Sequence, residues 1–115
     1  MWWNRKIAAL LLATLCGCAI GPTAALEVCP SRGEQALRFV DVFDGSPMEL
    51  ATLAPDSAEE LSGYWLLGYV YDAGRFVTIR CKYADNKSVD VKLTTRVDRC
   101  SYKLDARKTL SLLCK

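Results

Sequence analysis

Residues 99–114 read RCSYKLDARKTLSLLC, and this stretch decides the fold. Cys100, Tyr102 and Leu104 alternate on one arm. Leu110, Leu112 and Cys114 alternate on the other, around the turn-forming Asp105-Ala106-Arg107-Lys108. Such period-two spacing places each set on one face of a strand. Joining Cys100 to Cys114 sets Tyr102 opposite Leu112 and Leu104 opposite Leu110. One antiparallel register then serves both the cysteines and the apolar side chains. The stretch predicts a hairpin closed by a disulfide, and it speaks to fold and compartment rather than to activity.

A chain of 115 residues holds one domain. Its first part reads as a leader: Trp2-Trp3-Asn4-Arg5-Lys6 is a positive n-region, Ile7 to Leu15 an apolar h-region, and Gly17, Ala19, Gly21 and Pro22 follow. That order marks a secretory signal peptide. The apolar run is shorter than the roughly 20 residues a spanning helix needs. Two cleavage readings stand side by side. Thr23-Ala24-Ala25 before Leu26 suits ordinary signal peptidase and makes residues 1–25 the signal peptide. Leu15-Cys16-Gly17-Cys18 resembles a bacterial lipobox with Cys18 as the lipidated residue, which would make the protein a tethered domain.

Residues 26–115 form the single expected domain, whose core is marginal in size without cross-links. They contain Cys29, Cys81, Cys100 and Cys114, an even set that in an exported chain argues for two disulfides. The hairpin register selects Cys100–Cys114 and leaves Cys29–Cys81. Zinc is not indicated, because the chain has no histidine and these four cysteines include no Cys-x-x-Cys pair. The net charge of +2 comes from Arg5 and Lys6, so residues 26–115 are neutral. Acidic groups concentrate before residue 61 and basic groups after it. Either this polarity steers a charged partner, or the two parts neutralise each other on folding. A neutral exported chain without a recognised motif gives little support to nucleic-acid binding.

Earlier in the chain, Gln35 to Phe43 alternates as a strand, and Asp44-Gly45-Ser46-Pro47 is a strong turn signal. Between Met48 and Leu61, short helical turns are expected, one ended by Pro55 and another capped by Asp56 and Ser57. Tyr64 to Tyr71 and Phe76 to Tyr83 flank Asp72-Ala73-Gly74-Arg75 and predict a second hairpin. Its core face would hold Leu66, Val70, Val77, Ile79 and Cys81. Its other face would hold Trp65, Leu67, Tyr69, Tyr71, Phe76, Thr78, Arg80 and Lys82. Val89, Val91 and Leu93 give a further strand with Asp90 and Lys92 outside. The expected fold class is mainly β: a small disulfide-stabilised antiparallel meander or sandwich with one or two short helical turns.

Chemistry is sparse. Without histidine the chain lacks the commonest general base and metal ligand, and it shows no phosphate loop or nucleophile elbow. No catalytic residue, metal site or cofactor is indicated. The functional candidates are instead Trp65, Tyr69, Tyr71, Arg75, Phe76 and Arg80, a set of aromatic and cationic residues of the kind that anchors interfaces.

Cys29-Pro30, Val42-Phe43-Asp44-Gly45-Ser46-Pro47-Met48-Glu49, Leu53-Ala54-Pro55-Asp56, Cys81-Lys82-Tyr83 and the spaced Cys100 and Cys114 together resemble the STY0301-like family of small exported bacterial proteins. The resemblance spans nearly all of residues 26–115 and implies a disulfide-containing periplasmic domain, with no established activity to carry over. Phe76-Val77-Thr78-Ile79-Arg80 stands before Cys81, where the family often has Trp-Leu. In size, compartment and β content the chain is also similar to small periplasmic lysozyme inhibitors, an analogy that carries no inhibitory residue.

The expected function is non-catalytic protein binding in the periplasm, with inhibition of a cell-wall hydrolase, or immunity against one, as its specific form. The partner would be another envelope or periplasmic protein. Membrane contact would come only through lipidation, with anchoring to the outer membrane. The alternatives are a structural envelope lipoprotein and a small carboxylate-dependent hydrolase.

Overall fold

Strand β6 (Val77–Tyr83) is apolar at every second position, and the rest of its sheet is built beside it. Val77, Ile79, Cys81 and Tyr83 are buried. β2 (Leu37–Asp44) lies along one side of β6 and β7 (Ser88–Leu93) along the other. Val40 and Val42 of β2 face Cys81 and Ile79, while Val89 and Val91 of β7 face the same two residues. The two-residue β3 (Thr52–Leu53) completes a four-stranded antiparallel sheet in the order β3-β2-β6-β7. The computed structural model describes residues 25–115, so residues 1–24, with all of the expected leader but Ala25 and with the Cys18 lipobox, lie outside the described residues.

The second sheet has five antiparallel strands in the order β1-β9-β8-β5-β4. These are β1 (Leu26–Glu27), β4 (Ser57–Ala58), β5 (Ser62–Leu66), β8 (Arg99–Leu104) and β9 (Leu110–Cys114). Trp65, Cys100, Leu110, Leu112 and Cys114 join the buried residues of the first sheet in one continuous core. The β8–β9 register is Cys100↔Cys114, Tyr102↔Leu112 and Leu104↔Leu110, as the alternation dictates. Its turn is closed by the Asp105 carboxylate, which accepts from the Arg107 and Thr109 amides at 2.8 and 2.9 Å. The molecule is thus a small, mostly antiparallel β fold with little helix and two disulfides, Cys29–Cys81 and Cys100–Cys114.

The expected 64–83 hairpin does not form. β5 ends at Leu66, and residues 68–72 turn into a short helix, α1 (Gly68–Asp72). β5 instead pairs with β8, placing Trp65 opposite Cys100. This reverses the expected faces: Trp65 and Leu67 go inside, while Leu66 is 47% exposed. The physical reason is the size of the indole. Burying it removes the largest side chain of the segment from water, and its Nε1–H donates to Leu53 O at 2.9 Å. α1 is held by Arg96, which bridges Asp72 and Asp98 at 2.6 and 2.8 Å. Val70 still reaches the core from the helix.

Residues 47–61 also differ from expectation. A single 3₁₀ turn, Pro47–Glu49, follows the Ser46 cap. The turn expected after Asp56 is replaced by the extended β4 segment, because the Asp56 carboxylate accepts the Leu66 amide at 2.6 Å rather than capping its own chain. Acidic and basic parts of the chain meet across the fold, in Lys82–Asp41, Arg75–Asp44 and Arg75–Glu49. Among the described residues no helix is long and apolar enough to cross a membrane.

The two disulfides do different jobs. Cys100–Cys114 ties neighbouring strands of one sheet across a separation of 14 residues. Cys29–Cys81 ties the segment after β1 to the centre of the other sheet across 52. Loop-closure entropy then assigns about 4 kcal/mol to Cys29–Cys81 and about 3 kcal/mol to Cys100–Cys114. Urea unfolding of the two paired Cys→Ala variants should show the larger loss for Cys29/Cys81. Equal losses, or the opposite order, would contradict the stapling role.

Candidate functional site

With odd positions of β6 inside, its even positions must face outward. Phe39, Asp41 and Phe43 of β2 and Asp90 and Lys92 of β7 share that outer face with Arg80 and Lys82, and Phe76 enters just before β6. All three phenylalanines of the chain therefore lie together on the outer side of the four-stranded sheet. Each carries a cation over its ring. Lys82 Nζ lies 5.9 Å from the Phe39 centroid, the Arg80 guanidinium 5.3 Å from that of Phe43, and Lys92 Nζ 4.3 Å from that of Phe76. Arg80 also donates to both Asp90 oxygens at 2.8 and 3.0 Å, and Lys82 pairs with Asp41 at 2.8 Å. The Arg80 hydrogen bonds hold the Asp90 carboxyl below its ordinary range and raise the guanidinium. Surface pairs of this kind contribute little stability. Their effect is to fix long side chains over the rings.

One end of this face rises into a loop, Gly45–Ala51, whose shape follows from its sequence. Gly45 adopts φ 88°, and a Cβ there would collide with the Arg75 and Glu49 side chains. Its amide donates to Phe76 O at 2.7 Å, and its carbonyl accepts from Thr78 Oγ1 at 2.7 Å. Ser46 and Glu49 form a reciprocal capping box: Ser46 Oγ accepts the Met48 amide at 3.2 Å and Glu49 Oε2 accepts the Ser46 amide at 3.0 Å. Arg75 then spans the base, donating to Asp44 Oδ1 and Glu49 Oε1 at 2.6 Å each. Leu50 is held left-handed at φ 59°, a conformation costing about 1–2 kcal/mol for a residue with a side chain.

The result is a braced loop that presents apolar side chains to water. Met48 is 90% exposed and Leu50 82%. Beside them a shallow pocket of about 250 Å³ is lined by Ser46, Pro47, Phe76, Thr78, Asp90 and Lys92. Strained backbone together with exposed large apolar groups is a combination found at functional surfaces.

The six residues singled out from the sequence are divided by the fold. Trp65 lies in the core at 3% exposure, 5.5 Å centroid to centroid from Tyr102, and is no part of a surface. Tyr71 is half-buried on α1 with its hydroxyl donating to Leu93 O at 2.8 Å, and burial raises its pKa. Tyr69, also on α1, is 57% exposed. Phe76 and Arg80 lie on the outer face, whereas Arg75 sits before β6 at the base of the loop, and both arginines are already engaged by carboxylates. Sequence reasoning passed over Phe39, Phe43, Met48 and Leu50. Phe39 and Phe43 share the parity of Asp41, and the Ser46-x-x-Glu49 capping-box spacing was a readable signal for the loop. Among the described residues no three His, Cys, Asp or Glu side chains gather as a metal-binding group.

Glu49 is held below its ordinary value of 4.5, first by the Ser46 amide and then by Arg75. A depressed carboxylate favours the ordered loop above pH 4.5 and loses that contribution as pH falls through the lower folded-state value. Arg75→Gln should raise the Glu49 titration midpoint toward 4.5, read by NMR of its side-chain carboxyl, with part of the depression retained through Ser46. An unchanged midpoint would mean that Arg75 does not brace the loop. No protein-family model, curated protein or solved structure matches the chain.

Proposed function

We propose that this chain is a non-catalytic protein-binding domain of the bacterial periplasm, acting as an inhibitor of a cell-wall hydrolase or as immunity against one. The carrying observation is the braced loop with Met48 and Leu50 exposed at 90% and 82%. Two apolar side chains on a prefixed loop lose little conformational entropy on docking, as in preorganised inhibitors. The loop enters the partner's cleft, Met48 adapts to its walls, and the cation-capped phenylalanines lie around the entrance. Arg75 acts within the domain, as the brace of the loop.

Export through the leader, with tethering at Cys18 under the lipobox reading, would place the domain where such a partner works. The STY0301-like resemblance fits the same compartment. Glu49, Asp85 and Asp90 are held below their ordinary values by hydrogen-bonded partners, so none of these three is a general acid poised near neutral pH.

The test is affinity capture from a periplasmic extract of the producing bacterium, with the captured protein then assayed for cell-wall hydrolysis. The wild type should retain and inhibit a hydrolase. Met48→Asp/Leu50→Asp, shown to be folded by circular dichroism, should bind it at least about thirty-fold more weakly, the size of one interface hot spot. Equal binding by the variant would remove the loop from the mechanism.

A further inference from the structure

The two sheets end, among the described residues, in four edge strands: β1, β3, β4 and β7. β1, β3 and β4 have two residues each, too few to template another strand. β7 has six, and of the devices that usually blunt an edge it carries only charged side chains, Asp90 and Lys92. It contains no proline, its pairing with β6 runs unbroken from Val77↔Leu93 to Lys82↔Ser88, and its inward positions are the half-buried Val89, Val91 and Leu93. At the closed end of this hairpin the Tyr83 amide donates to Lys87 O at 2.9 Å. Antiparallel alternation then makes 81/89, 79/91 and 77/93 the hydrogen-bonded pairs. The backbone N–H and C=O groups of Ser88, Asp90 and Lys92 point away from β6, and no other described strand lies there to receive them.

The charges on this edge are complementary to their own reverse. Antiparallel pairing with an identical strand about Val91 sets Asp90 opposite Lys92 of the second copy, twice over, and Val89 opposite its Leu93. Registers centred on Asp90 or on Lys92 oppose like charges instead, and a one-residue slip sets the apolar row against the charged one. The favoured register also extends a pattern already in the sheet. Asp41, Arg80 and Asp90 are successive cross-strand neighbours of alternating sign, and Lys92 of a second copy is the next member of that row.

We propose that β7 pairs with β7 of a second copy of this chain, with the two-fold axis at Val91, so that two four-stranded sheets become one. The apolar row Val89-Val91-Leu93 then continues across the junction, and the outward backbone groups of Asp90 and Lys92 bond to those of Lys92 and Asp90 in the partner copy. This contact is separate from the Met48–Leu50 loop, so its failure would leave the proposed function standing. One strand edge is a small interface, well under about 1,200 Å², and weak association in the micromolar range or above is expected.

Sedimentation equilibrium of the protein as recovered from its producing cell, from about 10 μM to about 1 mM, reads this directly. The wild type should approach twice the monomer mass. Asp90→Lys and Lys92→Asp should each weaken association at least ten-fold, by opposing like charges. An equimolar mixture of the two should restore it, because residue 90 of one then faces the opposite charge at residue 92 of the other. A wild type that stays monomeric throughout, a Lys92→Asp protein that associates like the wild type, or a mixture that stays monomeric with both proteins folded overturns the proposal. So does a wild type found carrying a co-purified peptide, which would make the edge a receptor for another chain.

Discussion

The bond between Cys29 and Cys81 is the constraint on which the rest of the molecule depends. Cys81 lies fully buried in the middle of β6, and Cys29 follows directly from β1 of the other sheet. Around the bond the same segment is fixed by polar contacts. The Tyr83 hydroxyl donates to Pro30 O, and Arg32 reaches both Asp85 oxygens at 2.9 and 3.0 Å while lying over the Tyr83 ring. A domain of about 90 residues buries too little surface to rely on packing alone, so a covalent staple between its layers carries disproportionate weight. The second disulfide sits inside one sheet and secures a hairpin that its turn and register already favour.

Fixing Cys81 inside also decides what faces out. The alternation of β6 sends Thr78, Arg80 and Lys82 to the opposite side, where Arg80 and Lys82 meet the phenylalanines of β2. Thr78, the single buried polar residue among those described, turns its hydroxyl to Gly45 O and so anchors the base of the exposed loop. Structure and proposed function are linked through that anchor. The core sets the strand parity, the parity turns Thr78 toward the base of the loop, and the loop holds Met48 and Leu50 in solvent. The strain at Leu50 and the exposure of two large side chains are destabilising features that folding alone does not explain.

How much of this was legible in the sequence follows from distance along the chain. The β8–β9 register could be read because both strands, the turn and the cysteines lie within 16 residues, from Arg99 to Cys114. β7 was likewise plain from Val89, Val91 and Leu93. The β2–β6 and β5–β8 pairings join strands separated by long connections, and no local signal names such partners. Tyr64 to Tyr71 alternates well enough to pass for a strand, but tertiary burial of Trp65 reversed its faces and freed residues 68–72 to turn helical. The site was half visible. Phe76 and Arg80 lie on the outer face and Arg75 at the loop base, whereas the size of Trp65 and its bond to Leu53 O make it a core residue. Met48 and Leu50 were hidden in a stretch whose own pattern is ambiguous, although the Ser46–Glu49 box marked where it turns.

The central claim is that the fold holds an apolar loop rigid in solvent, and amide hydrogen exchange tests it most directly. The amides of Gly45, Ser46, Glu49 and Leu50 are bonded to Phe76 O, Glu49 Oε2, Ser46 O and Pro47 O. They should exchange markedly more slowly than in a peptide of residues 44–52, while the Met48 and Leu50 side chains stay open to a soluble paramagnetic probe. Peptide-like exchange at all four amides would show a loop that is exposed but not braced, and would contradict the account.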